Sequence, residues 1–526
     1  MKKSVRILSG VLAILTAASL TACNKDKTNG DMGSDKVTWW IANSASQVVK
    51  SYDDVAAMQE LQKKFDLDIE FVHPSPEQET EQFNIMAASG DFKDIVSFNW
   101  NGYTGGPVKA AKDGAILILD DYLEANMPNL LSLMNSEADM NYLARCYDGS
   151  VCVLPGCTDN IETGAVFGPQ IRKDWLDKLN LEVPTSMDDW YNVLTAFKTQ
   201  DPNGNGEADE IPFVADGNAT FLRLSHAYNG VDEGFYIKPD GKIGFGFIEP
   251  DYKEFLITIN KWYKEGLIEP EYAASDASSI DTKMISDIGG AYIGYSGSAM
   301  SKYLAASRAS NPDYTLVAAQ WPTANGGKPY GGYTYQVSRG TPGRGMAISA
   351  KNKNVEKTLQ MIDYMYGEEG STLLNWGILG ESYEKTDEGY KFTEKITKNP
   401  DGKSPIEAVT PYALTQYPCV MMRSDAYIEL NTAFPEQKAA MELWNQADLS
   451  RIMPTLTISP EEQSEITKVM DDIYTYRQEW VNKLVMGVEP ISKWDEVADK
   501  IRGMGIDKAI AVYQTAYDRY VNLERK

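Results

Sequence analysis

A chain of 526 residues with 43% hydrophobic and 11% aromatic residues is longer than a single core usually serves, so two lobes or more are expected. Against 50 Lys and Arg it carries 75 Asp and Glu, a formal charge of −25, which repels phosphate over most of the surface. That balance disfavours nucleic acid and anionic lipid headgroups as partners and is read as serving solubility.

The first segment is an export signal. Lys2, Lys3 and Arg6 form a charged head, Ile7 to Leu20 runs apolar and small, and Leu20-Thr21-Ala22-Cys23 ends it. The apolar run is too short for a good membrane span and has the layout of a secretory signal. Leu-Thr-Ala-Cys resembles the lipobox of bacterial lipoproteins, which implies cleavage of residues 1–22 and lipidation of Cys23. The mature chain would then be tethered to the cell membrane by acyl chains, facing the extracytoplasmic side. Residues 24–36 (NKDKTNGDMGSDK) offer only Met32 for packing and read as a flexible tether. No later apolar run approaches spanning length.

The folded body begins with a strand at 37–41 (VTWWI), followed by Asn43, Ser44 and Ser46. Val55, Met58, Leu61 and Phe65 fall at helical spacing within 52–65. Residues 67–72 alternate as a strand, and a helix over 77–88 ends at a Ser89-Gly90 cap. Residues 94–98 (DIVSF) read as a buried parallel strand with Asn99 to Tyr103 as its exit loop. This alternation predicts an α/β lobe on a mainly parallel sheet. Ligands of open α/β sheets bind beyond the carboxyl ends of the strands, which points to Asn43, Asn99, Trp100 and Tyr103.

Residues 201–210 (DPNGNGEADE) hold the sharpest motif. Oxygen side chains at the first, third, fifth and ninth positions, with glycine at the sixth, match the first part of an EF-hand loop. Hard oxygen donors on a tight turn suit calcium. Pro212 stands where an EF-hand has its bidentate Glu, and Glu210 can supply that carboxylate instead. The following residues 211–213 read as strand rather than as an exiting helix, and with no open coordination or nearby base indicated the ion is assigned a structural role.

Other chemistry is sparse. Cys146, Cys152, Cys157 and Cys419 lack zinc spacing. Outside the membrane either Cys152–Cys157 or Cys146–Cys152 can close a small loop, and buried free thiols fit the sequence equally. His73 and His226 are read as structural. There is no Gly-x-Ser-x-Gly elbow or zinc-protease motif, so no catalytic residue is assigned.

Several further segments, at 87–95, 148–155, 171–176 (IRKDWL), 184–185, 363–370, 377–383 and 513–520, resemble the carbohydrate-type extracellular solute-binding proteins of ABC importers. The resemblance spans the mature chain and is most specific from Arg172 to Asp209. It implies an α/β, two-lobed, type II periplasmic-binding-protein fold with hinge strands and a ligand cleft between the lobes. By analogy the chain crosses near Cys152, Trp321 and Phe392, giving lobe 1 as 37–152 with 323–391 and lobe 2 as 153–322 with 392–526. Pattern breaks at Pro155-Gly156 and over 322–327 agree, and amphipathic stretches at 461–484 and 506–523 would cover lobe 2. In alginate-oligosaccharide-binding relatives a similar loop holds calcium, which implies Asp201, Asn203, Asn205, Asp209 and Glu210 as side-chain ligands and Glu207 through its carbonyl.

Sugars present apolar C–H faces and a hydroxyl rim, so stacking aromatics and planar polar groups are sought near strand exits. Trp40, Asn43, Asn99, Trp100, Tyr103, Tyr295, Trp321, Trp376 and Arg423 are the candidates, with Tyr295 best placed. Trp39 and Trp40 alternate on one strand, so at most one can face a cleft. The expected protein is a monomeric lipoprotein that delivers an oligosaccharide to an ABC permease. A surface-anchored carbohydrate-active enzyme, or a receptor for a peptide or other small solute on the same fold, is the alternative.

Overall fold

The computed structural model describes residues 35–160, 165–324, 326–332, 338–387, 389–401, 403–414 and 420–524. The export signal with Cys23, most of the tether, Asn325 and Cys419 lie outside the described residues. The strands in chain order are β1 (Asp35–Trp40), β2 (Leu67–Val72), β3 (Ile95–Asn99), β4 (Leu154–Thr158), β5 (Phe167–Arg172), β6 (Ile211–Phe213), β7 (Phe235–Ile237), β8 (Ile243–Phe245), β9 (Gly289–Tyr295), β10 (Leu316–Ala318), β11 (Gly340–Ile348), β12 (Tyr383–Thr386), β13 (Gly389–Phe392) and β14 (Met421–Met422).

Six of them form one sheet in the order β14-β4-β11-β3-β1-β2. β1 runs parallel to β2 and β3, with the helices Ala56–Phe65 and Glu79–Ser89 as the crossovers that parallel neighbours require. The expected Ser89-Gly90 stop is present: Gly90 takes φ +67°, a left-handed cap that glycine adopts without Cβ strain. The helix expected over 52–65 is split at Val55 into a short 3-10 turn, Tyr52–Asp54, and the longer helix.

Both faces of this sheet are covered. Trp39 packs on one face with Val37, Ile41 and Ile95, whereas Trp40 packs on the other with Phe83, Val96 and Trp100. Opposite sides of a strand serve two separate cores, as for sheets buried between helices.

A second sheet, β10-β5-β9-β6, sits in the largest core. β5 is antiparallel to β9 and β10, while β6 is parallel to β9. The long helices Pro460–Met486 and Ile506–Glu524, expected from their periodicity, bury Ile466, Met470, Ile473, Ile506 and Ala509 in that core. Among the described residues no helix is long and apolar enough to cross a membrane.

The chain leaves the first sheet later than the pattern breaks predict. Pro155 and Gly156 lie inside β4, where they were expected to interrupt the chain, and β14 pairs with β4 well beyond Phe392. Proline is tolerated because β11 slips its register between Gly340 and Gly345. Gly345 permits the close approach: a Cβ there would lie 2.0 Å from the Leu154 carbonyl. Beyond β11, Trp376, Tyr383, Phe392 and Ile396 build a small separate cluster around the β12–β13 hairpin.

Candidate functional site

Two cavities lie at strand ends, one on each sheet. The first, about 610 Å³, opens where β1 and β3 finish and is lined by Asn43, Ser97, Asn99, Glu79 and Arg344, among others. That is the position expected of a ligand site in a parallel sheet. Asn43 is buried, however, and its amide is spent on its own loop: Nδ2 donates to the carbonyls of Val49 at 2.9 Å and Lys50 at 3.2 Å. Its Oδ1 accepts from Ala45 N at 2.9 Å. Asn43 therefore shapes the wall, whereas Asn99 is exposed. The ionic groups of this wall are Glu79 and Arg344; burial holds the Glu79 carboxyl above its ordinary range, partly countered by Arg344.

The second cavity, about 420 Å³, is lined by Phe167, Asn218, Arg223, Asp232, Glu233 and Tyr295, among others. Phe167 and Tyr295 are cross-strand partners on β5 and β9, so antiparallel register sets their rings edge to face at 4.9 Å. Tyr295 remains 43% exposed, unlike the core aromatics. The Arg223 guanidinium lies over the Phe167 ring at 5.7 Å, extending the row, and donates to the Gly332 carbonyl at 2.6 Å.

Arg223 and His226 share the 3-10 helix Thr220–Ala227, which Ala219 enters with φ +48°. Asp216 braces that entry by accepting from Asn218 N at 3.0 Å and Nδ2 at 2.9 Å. Buried His226 joins the Arg223 carbonyl (Nδ1, 2.8 Å) to Asp232 (Nε2, 3.3 Å), the structural role expected of it. Burial opposes ionisation of Asp232, but the hydrogen bond and charge of His226, the Gly234 amide and Arg223 prevail and bring its pKa to about 2. Burial raises Glu233, with Arg477 opposing at 3.4 Å. The result is an aromatic wall, a guanidinium and two carboxylates in one concave surface, which suits a neutral polyol with apolar faces.

The other candidates fall elsewhere. Trp40, Trp100, Trp321 and Trp376 are core side chains, each at most 4% exposed, and line none of these cavities. Trp376, for instance, stacks on Phe392 at 4.4 Å. Tyr103 lines a third cavity of about 470 Å³, and its hydroxyl donates to Asp113 at 3.1 Å. Arg423 forks onto Asp425 and lies over Tyr390 at 5.7 Å. Phe167, Arg223, Asp232 and Glu233 were missed; the available signal was Asp232-Glu233 set between Gly230 and Gly234, close behind the polar residues of 220–227.

The acidic loop folds as an oxygen-rich turn. Asp201, at φ +46°, accepts from the amides of Gly204 (2.8 Å), Asn205 (3.1 Å) and Gly206 (3.1 Å). Asn203 accepts from Asn205 N, and Asn205 from Glu207 N. Asp209 receives the amides of Asn203 and Asn205 at 3.2 Å, so four of the expected ligand side chains converge. Glu210 Oε1 is buried without a hydrogen-bond partner, and burial, then the charges of Asp209 and Asp201, raise its pKa. The oxygen-rich donor set has the chemistry of a divalent-cation loop, although among the described residues no three carboxylates stand grouped as metal ligands. The loop is anchored by Asn203 Nδ2 to the Asp287 carbonyl at 3.2 Å and by Lys178 to the Pro202 carbonyl at 2.7 Å.

Residues 49–372 match the family model described as bacterial extracellular solute-binding protein. The chain is 28% identical to the fructooligosaccharide ABC transporter substrate-binding protein FusA of Streptococcus pneumoniae serotype 4, over 98% of each chain. A solute-binding protein from Bifidobacterium longum infantis, described as HMO-binding and ABC-transporter associated, superposes with a TM-score of 0.72 at 24% identity, covering 93% of this chain and 99% of that one. An EF-hand mutant of FusA in complex with fructo-nystose gives 0.69 at 24% identity, covering 93% and 100%. These likenesses establish the two-lobed α/β solute-binding fold that the resemblance implied.

Proposed function

Since the chain belongs to the bacterial extracellular solute-binding proteins, we propose that it is the ligand-capturing component of an ABC importer, taking up an oligosaccharide between its lobes and delivering it to the permease subunits. The observation that carries this reading is the row Arg223–Phe167–Tyr295 beside Asp232 and Glu233. The aromatic faces would take the C–H face of a sugar ring, the carboxylates would accept from its hydroxyls, and Arg223 would donate. Asn99, Glu79 and Arg344 in the first cavity would meet the ligand's other side. Ligand contact with both walls favours the closed form, which is the form a permease can select. The relatives' printed ligands, fructooligosaccharide and HMO, support this class.

Within this reading the protein is a monomer with no catalytic step. Calcium held by Asp201, Asn203, Asn205, Asp209, Glu210 and the Glu207 carbonyl would neutralise their charge and rigidify the turn.

Titration calorimetry against fructooligosaccharides, milk oligosaccharides and peptides tests the binding. Sugar binding is expected, and Tyr295→Ala is expected to weaken it at least about tenfold, or ~1.4 kcal/mol, with little change in melting temperature. The sugar is expected back intact after prolonged incubation. Binding of peptides alone, or steady sugar cleavage lost in a cleft variant, would reject the proposal.

The anchor is tested separately. Cys23→Ser is expected to move the protein from the membrane fraction into the medium, because one thiol carries the whole lipid attachment. Retention of the variant on salt-washed membranes would exclude the lipoprotein reading.

A further inference from the structure

The three described cysteines divide between the two faces of the first sheet. Cys157, on β4, packs with Leu154 and Met421, and its thiol donates to the Val420 carbonyl at 3.2 Å. Cys152 is buried on the other face with Trp40, Trp100 and Val153, and Cys146 packs against that same cluster. The sheet therefore separates Cys157 from the other two, and the Cys152–Cys157 pairing open to the sequence is disfavoured.

A tight turn brings Cys146 and Cys152 together. Cys146 N donates to the Ser150 carbonyl at 2.8 Å, and Gly149 N donates to the Cys146 carbonyl at 2.9 Å. Gly149 takes φ +90°, and Asp148 Oδ1 accepts from Ser150 N at 3.1 Å and Oγ at 2.6 Å. The turn folds Cys146 back toward Cys152, whose sulfur lies 3.3 Å from Ser150 Oγ. Cys146 is partly exposed and lines the cavity of about 470 Å³, so a solute can reach it.

We propose that Cys146 and Cys152 are joined by a disulfide in the exported protein, closing the 146–152 turn. The chemistry is exchange with an external disulfide. Cys146 loses its proton and forms a mixed disulfide with one sulfur of the oxidant, releasing the other as a thiol. The Cys152 sulfur, losing its own proton, then displaces the second thiol from Cys146. Two protein thiols are oxidised by two electrons, and the external disulfide is reduced to two thiols. Ser150 Oγ, 3.3 Å from the Cys152 sulfur, is placed to donate to its thiolate as it attacks. The extracytoplasmic reading supplies only the oxidising setting. Oxidation in vitro tests the pair whether or not the protein binds sugar.

The full chain is incubated with oxidised glutathione, denatured, alkylated, and cleaved on the amino side of aspartates. In Cys157→Ser, this gives fragments 139–147, with Cys146, and 148–158, with Cys152 as its only thiol. The expected result is one joined species, two hydrogens lighter than the sum, that separates only on reduction and is absent from Cys146→Ser. Separate alkylated fragments, a stable glutathione adduct on Cys146, or a link that needs Cys157 would overturn the proposal. Circular dichroism of both variants confirms that the assay reads folded protein.

Discussion

Chelating calcium is expected to lower the melting temperature of the purified protein on the order of 5 °C. Asp201, Asp209 and Glu210 place three carboxylates in one ten-residue turn, and Glu210 Oε1 is buried with no protein donor. Without a cation these groups repel one another and one stays unsatisfied; with it they gain a common partner. An ion that binds only the native state at about 100 times its Kd contributes ~2.7 kcal/mol. For a lobe of roughly 250 residues unfolding as its own unit, each kcal/mol shifts the midpoint by roughly 2 °C. Asp201→Ala with Asp209→Ala is expected to melt at the chelated temperature whether calcium is present or absent. Superimposable melting curves of the parent protein with and without chelator would remove both the ion and its structural role.

The turn was legible because its donors come from one short run of sequence, where spacing alone puts oxygens on the inner side. The same holds for β1, β2, β3 and the Gly90 cap, each a local pattern with one physical reading. The tryptophans were not legible. Trp40 and Trp100 follow or end strands, as ligand aromatics do, but helices cover the first sheet on both faces and enclose them. Which face of a strand is covered depends on residues far away in sequence. Tyr295 escapes burial because it ends β9 opposite Phe167, beyond the β6 pairing, which stops at Ala291. Phe167, Arg223 and Asp232 escaped notice for the converse reason: strand register and one left-handed residue, Ala219, bring together side chains with no shared motif. Pro155-Gly156 misled because a break in local pattern can be accommodated by slippage in the partner strand.

The largest loss of stability is expected from Arg172→Ala. The specific Arg172-Lys173-Asp174-Trp175 segment has a physical basis in the buried cation at its head. Arg172 is fully buried at the end of β5, with Nε 2.9 Å and Nη2 2.5 Å from the Asp174 carboxylate and Nη2 2.6 Å from Asp287. The rings of Trp175 and Tyr314 lie 4.6 Å and 4.1 Å from the guanidinium carbon. Removing the cation leaves two carboxylates facing each other across a void, a change that typically costs about 3–5 kcal/mol. Arg172→Lys keeps the charge but loses the planar fork and the stacking, so it is expected to recover only part of the loss. The effect should reach the 201–210 loop, since Asp287 holds φ +66° while its carbonyl accepts from Asn203 Nδ2. With its carboxylate freed from Arg172, Asp287 would hold the turn less firmly through its carbonyl, and Arg172→Ala should bind calcium more weakly than the parent. Denaturant unfolding and calcium titration of Arg172→Ala, Asp287→Asn and the double variant separate the terms. If the two substitutions were additive, or Arg172→Ala cost less than about 1 kcal/mol, the ion pair would not be the link between β5 and the loop.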